Sequence, residues 1–546
     1  MSRALRLRRL AALVAAGVSL AAAPARADVA TVFTIAGTES TGAAVPWLCG
    51  ALDFCESPKP WPAVWAATSR RIDATCVDHY PDGSILLCVD GALARLTPDG
   101  RMRAVQVPGL RLGPSVGRAD DLNVTAADLT PDGGMVFAGY DGAAAMAPDG
   151  TVRELPIDYP AGIDVLADGS VLVGDWEAEV VERVWPDGRH EVVAGRSRGE
   201  NPDGVPARSA RIGTPADVAA FPDGSFVIAD ESPSGRILRV DAAGVIHHFA
   251  GGGRGWREGA PATSVKIGPV ASVRALSDGG VLLAADRGVL QIDPGGRIHT
   301  LVRGVQAPGF AGFLNQRSAG LDARPASDVV LNGVRDADVL TDGRLVALTQ
   351  VPTGGSRLAL VGDPSGLDRL AIALPAEDRV AVSHGRLDLV ATRPATVHVT
   401  VREKSRTQPL ADLRTWVPAG RTTLTVPAAR GARVHVVHVE GVTDDGRVAS
   451  ADLAAIPAPK LTTSALAPLK LWVDLAYSGS FTSQDTLGCR RASPRRFRCR
   501  WVFQEEGEAG VHGSSSYTLR PDGLIDYVWR RDHGRRVQRL ILEPRW

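Results

Sequence analysis

A pattern that returns six times between residues 28 and 375 limits the folds open to this 546-residue chain. Its clearest copy is Thr214 to Gly253, TPADVAAFPDGSFVIADESPSGRILRVDAAGVIHHFAGGG, which reads as four short strands. Two turns interrupt it, at Pro222-Asp223-Gly224 and at Asp241 to Gly244. Proline presets φ for a turn, aspartate caps it and glycine takes the positive φ that closes it. The first turn of each copy carries Gly83, Gly133, Gly169, Gly224, Gly279 and Gly343, at gaps of 50, 36, 55, 55 and 64 residues. The second follows 17 to 23 residues later. The runs between them, SILLCV, GMVFAG, SVLVGD, SFVIAD and GVLLAA, are apolar on both faces, as strands sandwiched between neighbouring sheets must be. One four-stranded blade per repeat, arranged radially, satisfies both the period and the need to leave few strand edges exposed.

The links between copies carry a second signature. PARSARIG at 206–213 and PATSVKIG at 261–268 follow outer strands that end in Ala-Gly, PASDVVLNG at 325–333 echoes them, and each precedes the next hairpin. With the Asp-Gly turns and the strand-ending "AD", these segments resemble the NHL repeat, and the resemblance covers residues 29–375. It implies a six-bladed β-propeller and an all-β chain. The segment Thr31 to Gly37 matches the outer strands His248 to Gly251 and Val192 to Gly195, so it is expected to pair in the last blade and tie the ring together.

Residues 1–27 have the form of a secretory signal: Arg3, Arg6, Arg8 and Arg9, then an apolar run from Leu10 to Ala23, then Ala25-Arg26-Ala27. The expected mature chain begins at Asp28 and is secreted or periplasmic, with no membrane span. Lys plus Arg and Asp plus Glu are both 61, a balance that gives nucleic-acid binding no support. Arginine outnumbers lysine 56 to 5, a bias expected of a GC-rich bacterial genome. After the propeller (28–375), residues 376–457 keep strand alternation without the repeat and are similar to Ig-like or fibronectin-like sandwiches. Residues 461–546 read as a small β domain whose core Trp501, Tyr517, Tyr527 and Trp529 would fill.

Six cysteines in an exported chain most often pair. Spacing favours Cys49 with Cys55, Cys76 with Cys88 and Cys489 with Cys499; the second pair is equidistant from Asp82, so a tight hairpin turn places it directly cross-strand. There is no C-x-x-C and no nearby histidine at ligand spacing, which argues against a metal site at the thiols.

Four features carry candidate chemistry. Five residues before the turn glycine, on the innermost strand, stand Asp78, Asp128, Asp164, Ala219, Arg274 and Asp338. Four carboxylates and one guanidinium at one level of a central channel leave a negative surplus. A bound Ca²⁺ or Mg²⁺ would relieve it; the alternative is that each aspartate accepts backbone N–H bonds from the adjacent blade or turn. His190, His247, His248 and His299 fall on outermost strands, while His79 alone is on an inner one, a poor basis for zinc chemistry. Asp90, Asp175, Asp230 and Asp286 end second strands and are expected to bond the following loops. Finally, Arg490, Arg491, Arg495, Arg496, Arg498 and Arg500 form a hairpin with no acid between its cysteines, and Arg496, Arg498 and Arg500 share one strand face. That stripe is either a solvated edge that blocks sheet-to-sheet pairing or a contact for an anionic surface polymer or membrane headgroup.

No P-loop or H-E-x-x-H is present. The sequence therefore favours a secreted, non-catalytic binding scaffold for a protein, glycan or surface polymer. The alternatives are a lactonase-like hydrolase or lyase using a divalent cation in the channel, and a structural cell-surface protein.

Overall fold

The computed structural model describes residues 31–36, 64–69, 72–109, 111–112, 121–139, 142–198, 203–231, 235–304, 324–326, 329–331, 333–350, 355–362, 369–374, 385–403, 408–426, 435–455, 483–493, 495–504, 511–519, 525–531 and 537–542. The expected signal segment and the Cys49–Cys55 pair lie outside them. The described chain is all β apart from three short 3₁₀ turns, and no helix in it is long and apolar enough to cross a membrane.

Besides two short parallel strand pairs, residues 31–362 build six sheets of four or five strands, each with an antiparallel four-stranded meander. Their first strands are Ala74–His79, Val124–Leu129, Pro160–Val165, Thr214–Ala220, Val270–Ala275 and Val334–Val339. Each of these touches the next, and the last touches the first, so the six innermost strands close a ring. An apolar cluster fills each junction between neighbouring sheets, including the junction of the sixth with the first. The second strands explain why the junctions are dry. Ile85–Val89, Met135–Gly139, Val171–Asp175 and Val281–Ala285 are buried along their whole length, as strands covered on both faces are.

The six first turns share one geometry. Their glycines take φ between 77° and 92°, a region that penalises a Cβ. In each turn the aspartate Oδ1 accepts the N–H two residues on, as Asp82 does from Ser84 and Asp223 from Ser225. Cys76 and Cys88 lie directly opposite across the first hairpin and are disulfide-bonded, with Cα atoms 5.0 Å apart.

The linking segments bury corresponding residues under the sheets: Ala207, Ala210 and Ile212 in one, Ala262, Val265 and Ile267 in the next, Ala326, Val329 and Leu331 in the third. This is why the spacing Pro-Ala-x-x-Ala/Val-x-Ile/Leu recurs. The fourth strand of the sixth sheet is Thr31–Ala36, antiparallel to Ser356–Gly362, so the chain's beginning completes its last sheet. Residues 369–374 do not fill that place. Instead Ile372–Ala373 pairs with Arg386–Ala391 in the second unit.

That second unit consists of a three-stranded and a four-stranded sheet around one core, including Leu387, Leu389, Val397, Val399, Val437 and Val439. The strand at 370–374 joins two cores by simple alternation: Ala371 and Ala373 enter the cluster between the sixth and first sheets, and Leu370, Ile372 and Leu374 enter this one. Docking is reinforced by hydrogen bonds from Val448 N–H to Asp99 O (2.8 Å) and from Arg101 Nη1 to Gly446 O (2.9 Å). The C-terminal unit is a five-stranded meander: Ser483–Ser493, Arg496–Gln504, Val511–Leu519, Ile525–Arg531, Val537–Leu542. Cys499 is disulfide-bonded and stands opposite Cys489 in the register. Phe497 and Tyr517 are buried as a core pair should be; the side chains of Trp501, Tyr527 and Trp529 lie outside the described residues.

Candidate functional site

The ring of inner strands gathers six carboxylates, two more than the turn-relative position alone identified. Asp78, Asp128, Asp164 and Asp338 stand five residues before their turn glycines, and Asp217 and Asp336 seven before theirs. A strand has a period of two, so both positions point to the same face. The signal was available in the sequence: counting every second residue along the inner strands, instead of one aligned position, finds Asp217 beside Ala219 and Asp336 beside Asp338.

Each carboxylate makes a similar pair of bonds, one to its own strand and one across to the following sheet. Asp78 accepts the N–H of His79 (2.7 Å) and of Leu129 (2.8 Å). Asp128 accepts from Leu129 (3.0 Å) and Val165 (2.8 Å), and Asp164 from Val165 (3.0 Å) and Ala220. Asp217 accepts from Val218 (2.9 Å) and Val273 (2.8 Å). The fifth sheet contributes Ser272, whose hydroxyl donates to Asp336 at 2.6 Å, and Asp336 accepts from Ala337 (2.8 Å) and from Val77 (2.7 Å) in the first sheet. The acids thus form a belt that runs once around the ring. Gly162 is part of its design, because a Cβ there would sit 2.2 Å from Asp217 Oδ1.

Arg274 supplies the compensating charge. From the fifth inner strand it reaches across to the opposite side, where Nη2 donates to Val77 O (2.6 Å) and its guanidinium lies 3.6 Å from Asp128 and 3.8 Å from Asp336. Burial opposes its charge, but the surrounding Asp336, Asp78, Asp338 and Asp128 hold its pKa well above the usual arginine value. One guanidinium does not neutralise six acids. Burial, with the nearby charges of Asp78 and Asp164, pushes the Asp128 carboxyl well up, and burial likewise raises Asp164 and Asp336. Burial and the charge of Asp336 push Asp217 up to about 8.

His79 departs from the expectation that an inner histidine stands alone. Its Nδ1 lies 2.6 Å from Asp338 Oδ2 and 4.0 Å from Asp78 Oδ1, and the hydrogen bond to Asp338 raises its pKa against the opposing effect of burial. Asp78, His79 and Asp338 bring one ligand atom each within 4.8 Å of one another, a spacing that a metal ion could bridge. The two carboxylates already hold backbone N–H groups, so a cation would share or displace those partners.

The other sequence candidates are placed apart from this site. His190, His247 and His299 lie on outermost strands and pair locally with Glu182 (2.9 Å), Asp241 (3.2 Å) and Asp293 (2.9 Å); His248 Nε2 lies 3.1 Å from Ala250 O. Asp175 bonds the loop after it through Glu177 and Ala178, Asp90 accepts from Asp73, and Asp230 pairs with Arg236. Burial raises the Asp286 carboxyl. Arg496, Arg498 and Arg500 share one exposed face of the C-terminal sheet, but their strand is not an edge. It is paired on one side to Ser483–Ser493 and on the other to Val511–Leu519, which removes the edge-blocking explanation.

No protein-family model matches the chain, and no curated protein matches it. Among solved structures it is similar to the virginiamycin B lyase of Staphylococcus aureus (13% identity, TM-score 0.35, 55% of this chain and 98% of that one). It is likewise similar to a gluconolactonase of Xanthomonas campestris (14%, 0.35, 59% and 98%) and to a regucalcin of Agrobacterium tumefaciens, described as calcium-binding (15%, 0.34, 53% and 90%). These neighbours are propeller-type proteins. Likeness of this extent leaves the chemistry to be argued from the chain's own residues.

Proposed function

We propose that this protein is a secreted six-bladed NHL-type β-propeller, followed by an Ig-like sandwich and a small disulfide-containing β domain, that acts as a non-catalytic binding scaffold for an extracellular glycan or surface polymer. The observation that carries this reading is Arg274. The inner acids hold backbone N–H groups from sheet to sheet, and the chain's own guanidinium lies among them where a channel cation would otherwise be needed. Groups used in this way are parts of a closed ring, and the surfaces left for recognition are the loops and the C-terminal sheet. The signal-like start of the sequence supports export, which cleavage before Asp28 in the secreted protein would verify.

The direct test is the thermal midpoint of the purified full-length protein with and without millimolar Ca²⁺, Mg²⁺ or Zn²⁺, alongside turnover of a lactone panel. A scaffold shows no shift and no turnover. A shift of several degrees together with metal-dependent turnover that His79→Ala abolishes would replace this reading with the second one, a lactonase-like hydrolase or lyase. The Asp78–His79–Asp338 cluster is the observation favouring that second reading. There His79 and the two carboxylates would hold a divalent cation, whose role would be to polarise a carbonyl or a leaving oxygen.

A further inference from the structure

We propose that the open face of the C-terminal sheet is a binding site for a linear glycan bearing phosphate or sulfate esters. The inference rests on the binding reading above but on a different domain, so each can fail without the other.

Five arginines converge on this face from three of four consecutive strands: Arg490, then Arg496, Arg498 and Arg500, then, one strand further on, Arg530. All five are exposed, and none has an ion-pair partner among the described residues. They line a shallow concavity of about 960 Å³ with Ser514 and Ser516 on the strand between. The opposite face of the same strands, with Phe497, Cys499 and Tyr517, is buried, so the sheet is built with one face for packing and one left to solvent.

Three observations separate this face from an ordinary solvated surface. The strand bearing the arginine triplet is internal to the sheet, so it has no edge to protect. Arg490 stands directly opposite Arg498 in the cross-strand register. Like charges in that position destabilise a sheet, and a bound anion relieves the repulsion. Several arginines elsewhere have carboxylate partners, as Arg95 has Asp82 and Arg183 has Asp168, whereas these have none among the described residues.

The array also indicates the ligand. Along the strand, Arg496, Arg498 and Arg500 repeat at about 6.7 Å, and Arg500 and Arg530 flank Ser514 at about 9.6 Å across two strand spacings. A single small anion engages two or three such groups; a chain with a charge every 5–10 Å, roughly the repeat just derived, engages all five. Guanidinium forks match tetrahedral oxyanions bidentately, and the serine hydroxyls donate to ester or sugar oxygens. Among the described residues no aromatic side chain lines the concavity. Single-stranded nucleic acid is held largely by base stacking on aromatic platforms, so a polyanion without bases fits this face better.

The test is binding of the full-length protein to immobilised dextran sulfate and phosphorylated dextran, with plain dextran and a single-stranded oligodeoxyribonucleotide as comparisons. The expected result is binding to one or both charged dextrans, which identifies the ester recognised, and none to plain dextran. By counterion release from five contacts, affinity should fall roughly 100-fold between 50 and 200 mM salt. Arg496→Gln with Arg498→Gln and Arg500→Gln should abolish binding, and Arg490→Gln with Arg530→Gln should weaken it at least tenfold at an unchanged thermal midpoint. The double variant keeps the test decisive should the triple variant not fold. Undiminished binding by the double variant, absence of binding to both charged dextrans at 50 mM salt, or tighter binding to the oligonucleotide would each overturn the proposal.

Discussion

The amide of Val77 donates to the carboxylate of Asp336 across 2.7 Å, although the two residues are 259 positions apart. This bond fastens the sixth inner strand to the first. The same carboxylate accepts the Ser272 hydroxyl and lies 3.8 Å from Arg274, so one side chain ties together three sheets and the guanidinium that crosses between them.

Replacing Asp336 with alanine leaves three buried donors, Val77 N–H, Ala337 N–H and Ser272 Oγ–H, without their acceptor. Each such loss costs about 1–3 kcal/mol. The expected outcome is a lower denaturant midpoint at an unchanged m-value. A midpoint equal to wild type would show that the belt does not stabilise the ring.

The buried acids set the sign of the pH dependence. Asp217 is pushed up to about 8 in the folded protein from an ordinary aspartate value in the unfolded chain, so the folded state binds the proton more tightly. Its contribution is fully present below about pH 4 and is lost as pH rises through about 8. Asp128, Asp164 and Asp336 are shifted in the same direction. Wild type should therefore hold an advantage over Asp217→Asn at pH 5 that shrinks toward pH 8. Parallel thermal midpoints across that range would refute the assignment.

His79 has the opposite chemistry and the same sign. Its pKa is raised by Asp338, so the pairing stabilises below the ordinary histidine value and fades as pH passes the folded one. NMR titration should place the His79 midpoint above 6.5, and Asp338→Asn should lower it. Equal midpoints in the two proteins would exclude the pairing in solution.

The disulfide between Cys76 and Cys88 closes a short hairpin in which both residues are buried. Its removal in Cys76→Ala with Cys88→Ala should cost about 3 kcal/mol by loop entropy. Reduction of wild type should reproduce most of that loss, as read by chemical denaturation.

Gly100 joins the first sheet to the second unit. It takes φ of 82°, and a Cβ there would lie 2.0 Å from the Val448 carbonyl oxygen, a backbone atom with no room to yield. Gly100→Ala should loosen the docking, seen as faster proteolysis of the second unit while the unfolding transition of the ring of sheets is retained. Unchanged proteolysis would show that the contact is dispensable.

Much of this fold was legible in the residues themselves. Turn chemistry is local: proline, aspartate and glycine each act on their own backbone, so the six turns, the strands between them and the cross-strand Cys76–Cys88 pair could be read without knowing what packs on what. The alternation in the C-terminal hairpin likewise put Arg496, Arg498 and Arg500 on one face. Tertiary structure alone decided where those faces point. That Arg274 spans the ring to Val77, that His79 meets Asp338, that Leu370, Ile372 and Leu374 leave the ring for another core, and that Arg530 joins the arginine triplet depend on contacts between residues from tens to hundreds of positions apart. Such contacts follow from closure of the ring and from sheet order, which no local propensity encodes.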